Sequence, residues 1–309
     1  MSEENKRSIR ISVRNLVEFV LRSGDIDNRR SGNAQKDAML AGGRIHRKIQ
    51  KRMGSGYRAE VPLKHEVTDD EQEIVLSVEG RADGIFTENG ITVIDEIKGM
   101  YTDVARLEAP IEVHLAQAMC YGYFYCCDKD LDGIRLQLTY CNLETEEIRR
   151  FQTDRSKEEL EQWFSGVVHE YFKWARYLYH HELTRDASIR NLEFPYPYRE
   201  GQRDLVVSVY RTISRKKRLF IQAPTGIGKT LSTVFPAVRA IGEGKGDKLF
   251  YLTAKTVTRT VAEEALRILR GKGLIFTSVT ITAKEKLCPL ENCECNPDAC
   301  PYAKGHFDR

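Results

Sequence analysis

The sequence predicts an α/β protein of two domains, and three observations lead to this prediction. The chain has 309 residues, a length at which two domains can each bury a core of their own. In the first half, short apolar runs are joined by Glu88-Asn-Gly90, a turn typical of a β-hairpin. In the second half, strand-like apolar runs alternate with helical patterns, which is typical of a parallel sheet with helices on its faces.

Composition and charge are those of an ordinary globular protein. The 48 Lys and Arg residues exceed the 45 Asp and Glu residues by a net charge of +3, which is too small to indicate nucleic-acid binding by itself. The N-terminus lacks the apolar core of a signal peptide, and no apolar run approaches the ~20 residues that span a bilayer. We therefore expect a cytoplasmic protein without a membrane partner, in which thiols are reduced and grouped cysteines indicate a metal site rather than disulfides.

The first domain is predicted to span residues 1–190 and begins with two helices. Apolar residues recur near helical spacing over residues 11–21 and again in the segment that contains His46. A long helix with a capping box at Ser156 closes the domain, and the polar residues 184–191 are its predicted linker. Between these helices, the strand-like runs are 57–67, 74–78, 80–86 and 91–98.

Charged residues alternate along the hairpin formed by the last two of these strands. Because neighbouring side chains of a strand point to opposite faces, Glu96 and Lys98 share one face and Asp95 lies on the other. Asp83 on the adjacent strand and Glu96 can share a divalent cation through hard oxygen ligands. Lys98 beside them can orient a water molecule or stabilise developing charge. A hairpin that simply exposes alternating charges to solvent is the alternative.

This half of the chain resembles the PD-(D/E)xK nucleases, in particular the RecB-like branch. The resemblance covers residues 30–185, and its residues are Gly43-Arg-Ile-His46, Asp83 in Ala-Asp-Gly, Glu96-Ile-Lys98 and Gln117-Ala-Met-Cys-Tyr121. It implies a nuclease-like α/β domain that cleaves DNA with Mg²⁺ or Mn²⁺ held by His46, Asp83 and Glu96. The residues that it implies to be catalytic or beside the site are Asp83, Glu96, Lys98, Gln117 and Tyr121.

A glycine-rich segment organises the second domain, predicted at residues 191–309. Residues 222–230 read Gln-Ala-Pro-Thr-Gly-Ile-Gly-Lys-Thr and follow an apolar run at residues 218–221. A strand, a glycine turn and Lys-Thr at a helix start form a phosphate cradle, in which Lys229 reaches the β- and γ-phosphates and Thr230 ligates Mg²⁺. Ala223 stands where the usual pattern has its first glycine, and a glycine loop with a solvated lysine is the alternative. The residues predicted to bind ATP in this loop are Ala223, Pro224, Thr225, Gly226, Ile227, Gly228, Lys229 and Thr230.

Further motifs flank this loop. Arg199 and Gln202 precede it and can hydrogen-bond an adenine edge, and apolar runs at residues 248–253 and 275–281 predict further strands of a P-loop, RecA-like parallel sheet. The second half resembles the iron–sulfur helicases of the XPD and DinG kind. The resemblance covers the chain from residue 193 and rests on Tyr198-Arg-x-x-Gln202, Ala223 to Thr230, Tyr251-Leu-Thr-Ala-Lys-Thr256 and a four-cysteine segment. In that family the first motif reads adenine, the second binds ATP with Mg²⁺, and the third touches single-stranded DNA.

Four of the 8 cysteines lie between Cys288 and Cys300. Four thiolates at this spacing suit either a Cys₄ zinc site or an iron–sulfur cluster, although the short cysteine knuckles typical of zinc are absent. The helicase resemblance implies a [4Fe-4S] cluster in an insert that begins near residue 284. The expected ligands are Cys288, Cys293, Cys295 and Cys300, and the closeness of Cys293 and Cys295 leaves open that one of them is a bystander.

No acidic box follows the glycine-rich loop before Arg309, and a P-loop motor needs one for Mg²⁺ and for water activation. We therefore interpret the chain as the N-terminal part of an ATP-dependent DNA helicase-nuclease, and expect weak ATP binding and no unwinding. Its expected partner is single-stranded DNA, with no protein partner indicated, and the family implies a role in repair or recombination. One rival treats the first half as a silent DNA-binding module, and another treats the chain as an unrelated P-loop enzyme with a zinc tail.

Overall fold

The computed structural model of the chain forms two compact units. It describes residues 6–29, 33–71, 73–224, 226–254, 259–292 and 294–308, with the backbone alone for residues 33–39. Unit 1 comprises Met1–Arg176 together with Ala283–Arg309, and unit 2 comprises Tyr177–Thr282. The chain is a mixed α/β protein, and none of its described helices combines the length and the apolarity needed to cross a membrane.

Unit 1 is built on one six-stranded sheet of mixed direction. Its strands are β1 (Arg7–Ser12), β2 (Arg58–Thr68), β3 (Ile74–Glu88), β4 (Ile91–Met100), β5 (Gly133–Asn142) and β6 (Ile148–Ser156). The strand order is β1-β3-β4-β5-β6, with β2 paired to β3 away from this path. The β1–β3 and β4–β5 pairs are parallel, and the other pairs are antiparallel.

The predicted hairpin is confirmed as the β3–β4 pair. Asn89 and Gly90 both have positive φ, at 51° and 80°, which is the conformation that a two-residue hairpin turn requires and that Asn-Gly supplies readily. The two predicted runs at 74–78 and 80–86 form the single strand β3. Strand β1, which precedes the first helix, was not predicted. Its partner β3 lies far along the chain, so the pairing leaves no local signal in the sequence.

Four helices accompany this sheet: α1 (Val13–Val20), α2 (Asn33–Arg52), α3 (Glu112–Lys129) and α4 (Lys157–Arg190). The capping box is confirmed, since Ser156 and Glu159 exchange hydrogen bonds of 3.1 and 2.8 Å at the start of α4. Helix α4 continues through most of residues 184–191, so the predicted linker is helical up to Arg190. Shorter helical segments are the 3₁₀ turns Val104–Arg106 and His306–Asp308 and the helix α8 (Lys284–Leu287).

Helix α2 packs against β4 through a small apolar cluster. Ile45 and Ile49 from the helix meet Ile97 from β4 and Cys141 from β5. Cys120, Cys126 and Cys141, which lie outside the cysteine segment, are all buried. This packing fixes the orientation of α2 relative to the charged residues of the β3–β4 hairpin.

Unit 2 contains the end of α4 from Tyr177 onward and, in its described part, the helices α5 (Gln202–Ser214), α6 (Lys229–Gly242) and α7 (Arg259–Arg270). Their core includes Val206, Phe235, Val238 and Leu269, all buried. The structure corrects the prediction of a parallel sheet here: within the described part of unit 2, residues 218–221, 248–253 and 275–281 form no strand.

These three runs leave large apolar side chains in contact with solvent. Phe220, Leu252 and Ile281 are 94%, 88% and 88% exposed. An apolar run predicts that a segment will be buried, but a strand forms only where a neighbouring strand accepts and donates its backbone hydrogen bonds. The runs do not find such neighbours among one another in the described residues.

The cysteine segment packs in unit 1 against the loop that follows α1. The amide of Ile26 donates to the Ala303 carbonyl at 2.9 Å, and the amide of Phe307 donates to the Gly24 carbonyl at 3.0 Å. The Arg22 guanidinium lies 3.9 Å from the centroid of the Phe307 ring. The cysteine segment was predicted within the second domain, whereas in the structure it belongs to the same compact unit as the sheet.

Candidate functional site

The hairpin register brings two acidic residues together. Gly84 on β3 pairs with Asp95 on β4, so the adjoining residues Asp83 and Glu96 follow at the next position, on the opposite face of the sheet. Their side chains are only 14% and 5% exposed. The Asp83 carboxylate is held in place by the Ile97 amide, which donates to Oδ2 at 2.7 Å.

Glu96 has one satisfied and one orphaned carboxylate oxygen. Its Oε1 lies 2.7 Å from Lys98 Nζ, while its buried Oε2 has no hydrogen-bond partner among the described residues. Burial raises the pKa of Glu96 to about 7, with Lys98 opposing the shift and Asp83 adding to it. A buried carboxylate oxygen without a hydrogen-bond partner is a ligand atom that could coordinate a divalent cation.

Helix α2 contributes two side chains to the same place. His46 Nδ1 lies 3.4 Å from Asp83 Oδ1, and Gln50 Nε2 donates to the Asp83 carbonyl at 3.0 Å. Burial acts to lower the pKa of His46, but the hydrogen bond and charge of Asp83 outweigh it, so the pKa of His46 is raised. His46 therefore interacts with Asp83, one of the two carboxylates that the sequence predicted beside it.

Helix α3 contributes Gln117 and Tyr121. Gln117 is buried and its Oε1 accepts a hydrogen bond of 2.8 Å from Lys98 Nζ, so the lysine bridges the glutamate and the glutamine. Tyr121 packs on the backbone of Gly80, where a Cβ atom would lie 2.6 Å from its hydroxyl oxygen. Burial and the two nearby carboxylates raise the pKa of Tyr121, so it stays protonated.

The donor set fits Mg²⁺ or Mn²⁺ in chemistry, with two carboxylates and one imidazole. The ligand atoms of His46, Asp83 and Glu96 do not all lie within 4.8 Å of one another. A shared cation would therefore require rotation of at least one of these side chains. The Oε2 atom of Glu96 has no partner among the described residues, so it can coordinate a cation without breaking a hydrogen bond.

Sequence reasoning missed a second set of polar residues on the other face of the hairpin. Asp95 is fully buried and accepts hydrogen bonds from Thr139 Oγ1 at 2.6 Å and Tyr57 Oη at 3.0 Å. The Tyr57 ring covers Gly84, where a Cβ atom would lie 1.8 Å from the ring carbon Cζ. These contacts hold the β3–β4 pair from behind, and an aspartate within an apolar strand was the signal that could have found them.

His114 was also missed. It lies on α3 one turn before Gln117, and its Nδ1 is 3.3 Å from the hydroxyl of Tyr140. Burial and the nearby charge of Lys98 lower the pKa of His114 to about 4. The imidazole is therefore neutral near pH 7, and its neutral state adds no positive charge beside Lys98.

The glycine-rich loop of unit 2 leads directly into α6. Gly226 and Gly228 have φ of 88° and 78°, a region that glycine adopts without the steric cost of a side chain. Lys229 is the first residue of α6, and its Nζ donates to the carbonyls of Ala223 and Pro224 at 3.1 and 2.8 Å. The lysine thus folds back over the loop, next to the amides of a helix N-terminus that are suited to an anion.

Two further predicted residues, Arg199 and Gln202, contact this loop, and Thr230 ends it. Gln202 is buried, and its Nε2 donates to the Ile227 carbonyl at 2.9 Å, while the Arg199 guanidinium donates to the Gly226 carbonyl. Thr230 Oγ1 lies 3.5 Å from the Tyr251 hydroxyl. The structure brings the predicted residues together around one loop, except Thr225, which lies outside the described residues.

The cysteine segment holds three described candidate ligands. Cys300 is buried, Cys288 and Cys295 are half-buried, and Cys293 lies outside the described residues. The three described sulfur atoms do not all lie within 4.8 Å of one another. Their donor chemistry suits zinc or an iron–sulfur cluster equally.

Comparison with known proteins relates a small part of the chain to a helicase. No protein-family model matches the chain. A segment of 47 residues is 45% identical to Probable ATP-dependent helicase MJ0942 of Methanocaldococcus jannaschii, and this segment covers 15% of the chain and 7% of that protein. Among solved structures, the chain is similar to the crystal structure of SSO0001, with 18% identity, a TM-score of 0.35, and coverage of 54% of this chain and 77% of the other.

Proposed function

We propose that the chain is part of an ATP-dependent DNA helicase-nuclease, with a metal-dependent nuclease site on unit 1. One observation carries the nuclease proposal: Asp83, Glu96 and Lys98 meet on one face of the sheet, with Lys98 bonded to Glu96 at 2.7 Å. An acidic pair that can hold a metal ion beside a lysine is a set of groups that can hydrolyse a phosphodiester.

Each residue has a definite chemical task in this proposal. His46, Asp83 and Glu96 would hold Mg²⁺ or Mn²⁺, which supplies an activated water and polarises the phosphate. Lys98, held by Glu96 and Gln117, stabilises the negative charge that develops as water oxygen bonds to phosphorus and the P–O bond to the leaving sugar breaks. Ile97 and Gln50 orient Asp83 through its carboxylate and its carbonyl.

Incubation of the purified chain with labelled single-stranded DNA and Mn²⁺ tests this proposal. We expect degradation by the wild type and a loss of about 100-fold or more for Lys98→Ala, in the range of one preorganised charge in a catalytic site. Equal, background-level degradation by both proteins contradicts nuclease activity.

A second candidate function is a silent DNA-binding module on unit 1. The separation of the ligand atoms of His46, Asp83 and Glu96 favours it, since they do not meet within 4.8 Å. In that case, the chain binds single-stranded DNA with Mn²⁺ present and leaves it intact, and Lys98→Ala changes binding alone.

The helicase part of the proposal rests on unit 2. The glycine-rich loop before α6, with Lys229 at the helix start, supports binding of ATP with Mg²⁺. The 47-residue match to a protein named as a probable ATP-dependent helicase supports the same function. Cys288, Cys293, Cys295 and Cys300 are the proposed ligands of a [4Fe-4S] cluster, and a zinc site is the alternative.

A further inference from the structure

A row of three basic side chains lies along α2. Arg44, Arg47 and Lys51 are three and four residues apart, a spacing that brings side chains to one face of a helix. All three are exposed. Among the described residues, none of them makes an ion pair or a side-chain hydrogen bond, although the chain has many acidic residues.

Two neighbouring basic residues of α2, Lys48 and Arg52, differ from this row because they share one carboxylate. Lys48 is ion-paired with Glu146, and Arg52 lies 3.9 Å from the same carboxylate. Lys48 lowers the pKa of Glu146, so this acid stays ionised. Positive charges on successive turns repel one another, and the uncompensated row therefore has a net attraction for an anionic partner.

The row borders the candidate nuclease site. Helix α2 turns Ile45 and Ile49 to the core, and His46 and Gln50 to Asp83. At about 100° per residue, Arg47 lies about 60° around the helix from Gln50. The core face, the site face and the basic row therefore follow one another around the same helix.

The length of the row suits a nucleic acid strand. Arg44 and Lys51 are seven residues apart, which is about 10 Å along a helix axis. A nucleic acid strand carries a phosphate at every nucleotide, so a row of this length can place its three charges against successive phosphates of one strand. Arginine binds phosphate through a planar fork of N–H donors, and lysine binds it as a point charge.

We propose that Arg44, Arg47 and Lys51 form a phosphate-binding ridge that holds a DNA strand beside Asp83 and Glu96. The role of the ridge in cleavage rests on the proposed nuclease function. The binding of DNA by the ridge does not depend on cleavage. Contacts to phosphate carry no base information. The ridge therefore binds DNA without sequence preference and with a strong dependence on salt.

Fluorescence anisotropy of a labelled single-stranded oligonucleotide tests the ridge on the full chain. The measurement is made in EDTA, where metal-dependent cleavage is stopped, over a series of salt concentrations. For Arg47→Gln/Lys51→Gln we expect at least about tenfold weaker binding at low salt. The negative slope of log K against log salt should become shallower by about 1.4, since the variant loses two phosphate contacts and each contributes about 0.7 for a single strand.

The matched control removes one positive and one negative charge from an exposed ion pair on another helix, the Lys173–Glu170 pair of α4. Lys173→Gln/Glu170→Gln leaves the net charge unchanged, and its DNA affinity and salt slope should equal those of the wild type. Arg47→Lys keeps the charge and should retain the slope. Circular dichroism establishes that each variant is folded, and Arg44→Gln serves as a second ridge variant if the double variant is not.

Two outcomes separate the ridge from the nuclease. Unchanged affinity and slope in the folded ridge variants overturn the ridge, whether or not the wild type cleaves DNA. Loss of binding in the ridge variants together with an inactive wild type supports the ridge and refutes the nuclease.

Discussion

The Nζ atom of Lys98 lies 2.7 Å from Oε1 of Glu96, so an ammonium group and a buried carboxylate form an ion pair on one face of the sheet of unit 1. The two residues are separated by one position on β4, and the alternation of a strand puts them side by side. The pair leaves the second oxygen of Glu96 without a partner among the described residues. This oxygen is the atom of Glu96 that we propose as a ligand of the cation.

Glu96→Gln should abolish Mn²⁺-dependent cleavage of single-stranded DNA and leave the protein folded. The amide keeps the shape of the side chain and can still accept from Lys98, but it is a far weaker ligand for a hard cation than a carboxylate. Glu79→Gln is the control, because Glu79 is an exposed acid on β3 whose removal should leave cleavage unchanged. Cleavage by Glu96→Gln at the wild-type rate would remove Glu96 from the site.

Stability without metal should fall as pH rises from about 4.5 to about 7. The pKa of Glu96 is raised to about 7 in the folded protein, so in this window the folded state retains a proton that the unfolded state has lost. Stability therefore decreases with pH, by on the order of 3 kcal/mol for this group. Urea unfolding in EDTA across this range measures it, and Glu96→Gln should lack this part of the slope. A wild-type profile that matches the variant at every pH contradicts the raised pKa.

Gly84→Ala should destabilise unit 1 by about 1–3 kcal/mol, the usual cost of overpacking. The new methyl group would lie 1.8 Å from the Tyr57 ring, and moving the ring away would displace the hydroxyl group that donates to Asp95. Gly166→Ala, on α4 with open space around it, is the control and should be neutral or stabilising. Equal thermal stability of the two variants would show that Tyr57 can leave its place freely.

Lys229→Ala should eliminate binding of a fluorescent ATP analogue in the presence of Mg²⁺. The loss follows because Lys229 supplies the positive charge at the helix start of the glycine-rich loop. Lys245→Ala removes an ordinary positive charge after α6 and should bind the analogue as the wild type does. Retention of binding by Lys229→Ala would place the nucleotide elsewhere or show that the loop binds none.

Cys300→Ser should lower the iron and acid-labile sulfide content of protein purified without oxygen and remove its brown colour. Cys127→Ser, on α3 and apart from the cysteine segment, should keep both. A colourless wild-type protein that contains zinc would contradict the iron–sulfur cluster and favour a zinc site.

Local patterns were enough for part of the fold and of the candidate site. The Asn89-Gly90 turn, the capping box at Ser156 and the side-by-side placement of Glu96 and Lys98 all follow from neighbours in the sequence. Such features depend on backbone conformation and strand alternation within a few residues. These are interactions that a single sequence encodes directly.

Other features required the tertiary structure. The predicted strands of unit 2 do not form among the described residues. The prediction was wrong because an apolar run does not indicate which neighbouring strand would satisfy its backbone hydrogen bonds. The Asp95 contacts with Tyr57 and Thr139 connect β4 with β5 and with the residue before β2. No periodic pattern in the sequence indicates these contacts.

The sequence by itself determined the candidate functional residues and which of them are close along the chain: the acidic hairpin with its lysine, the glycine-rich loop, and the cysteine group. Only the tertiary structure decided that Gln117 reaches Lys98 at 2.8 Å, and that Arg29 reaches Asp298 at 2.6 Å across a separation of 269 residues. The physical reason is that these contacts depend on how helices and loops pack against the sheet. Packing is a property of many distant residues together, whereas alternation and turns belong to adjacent ones.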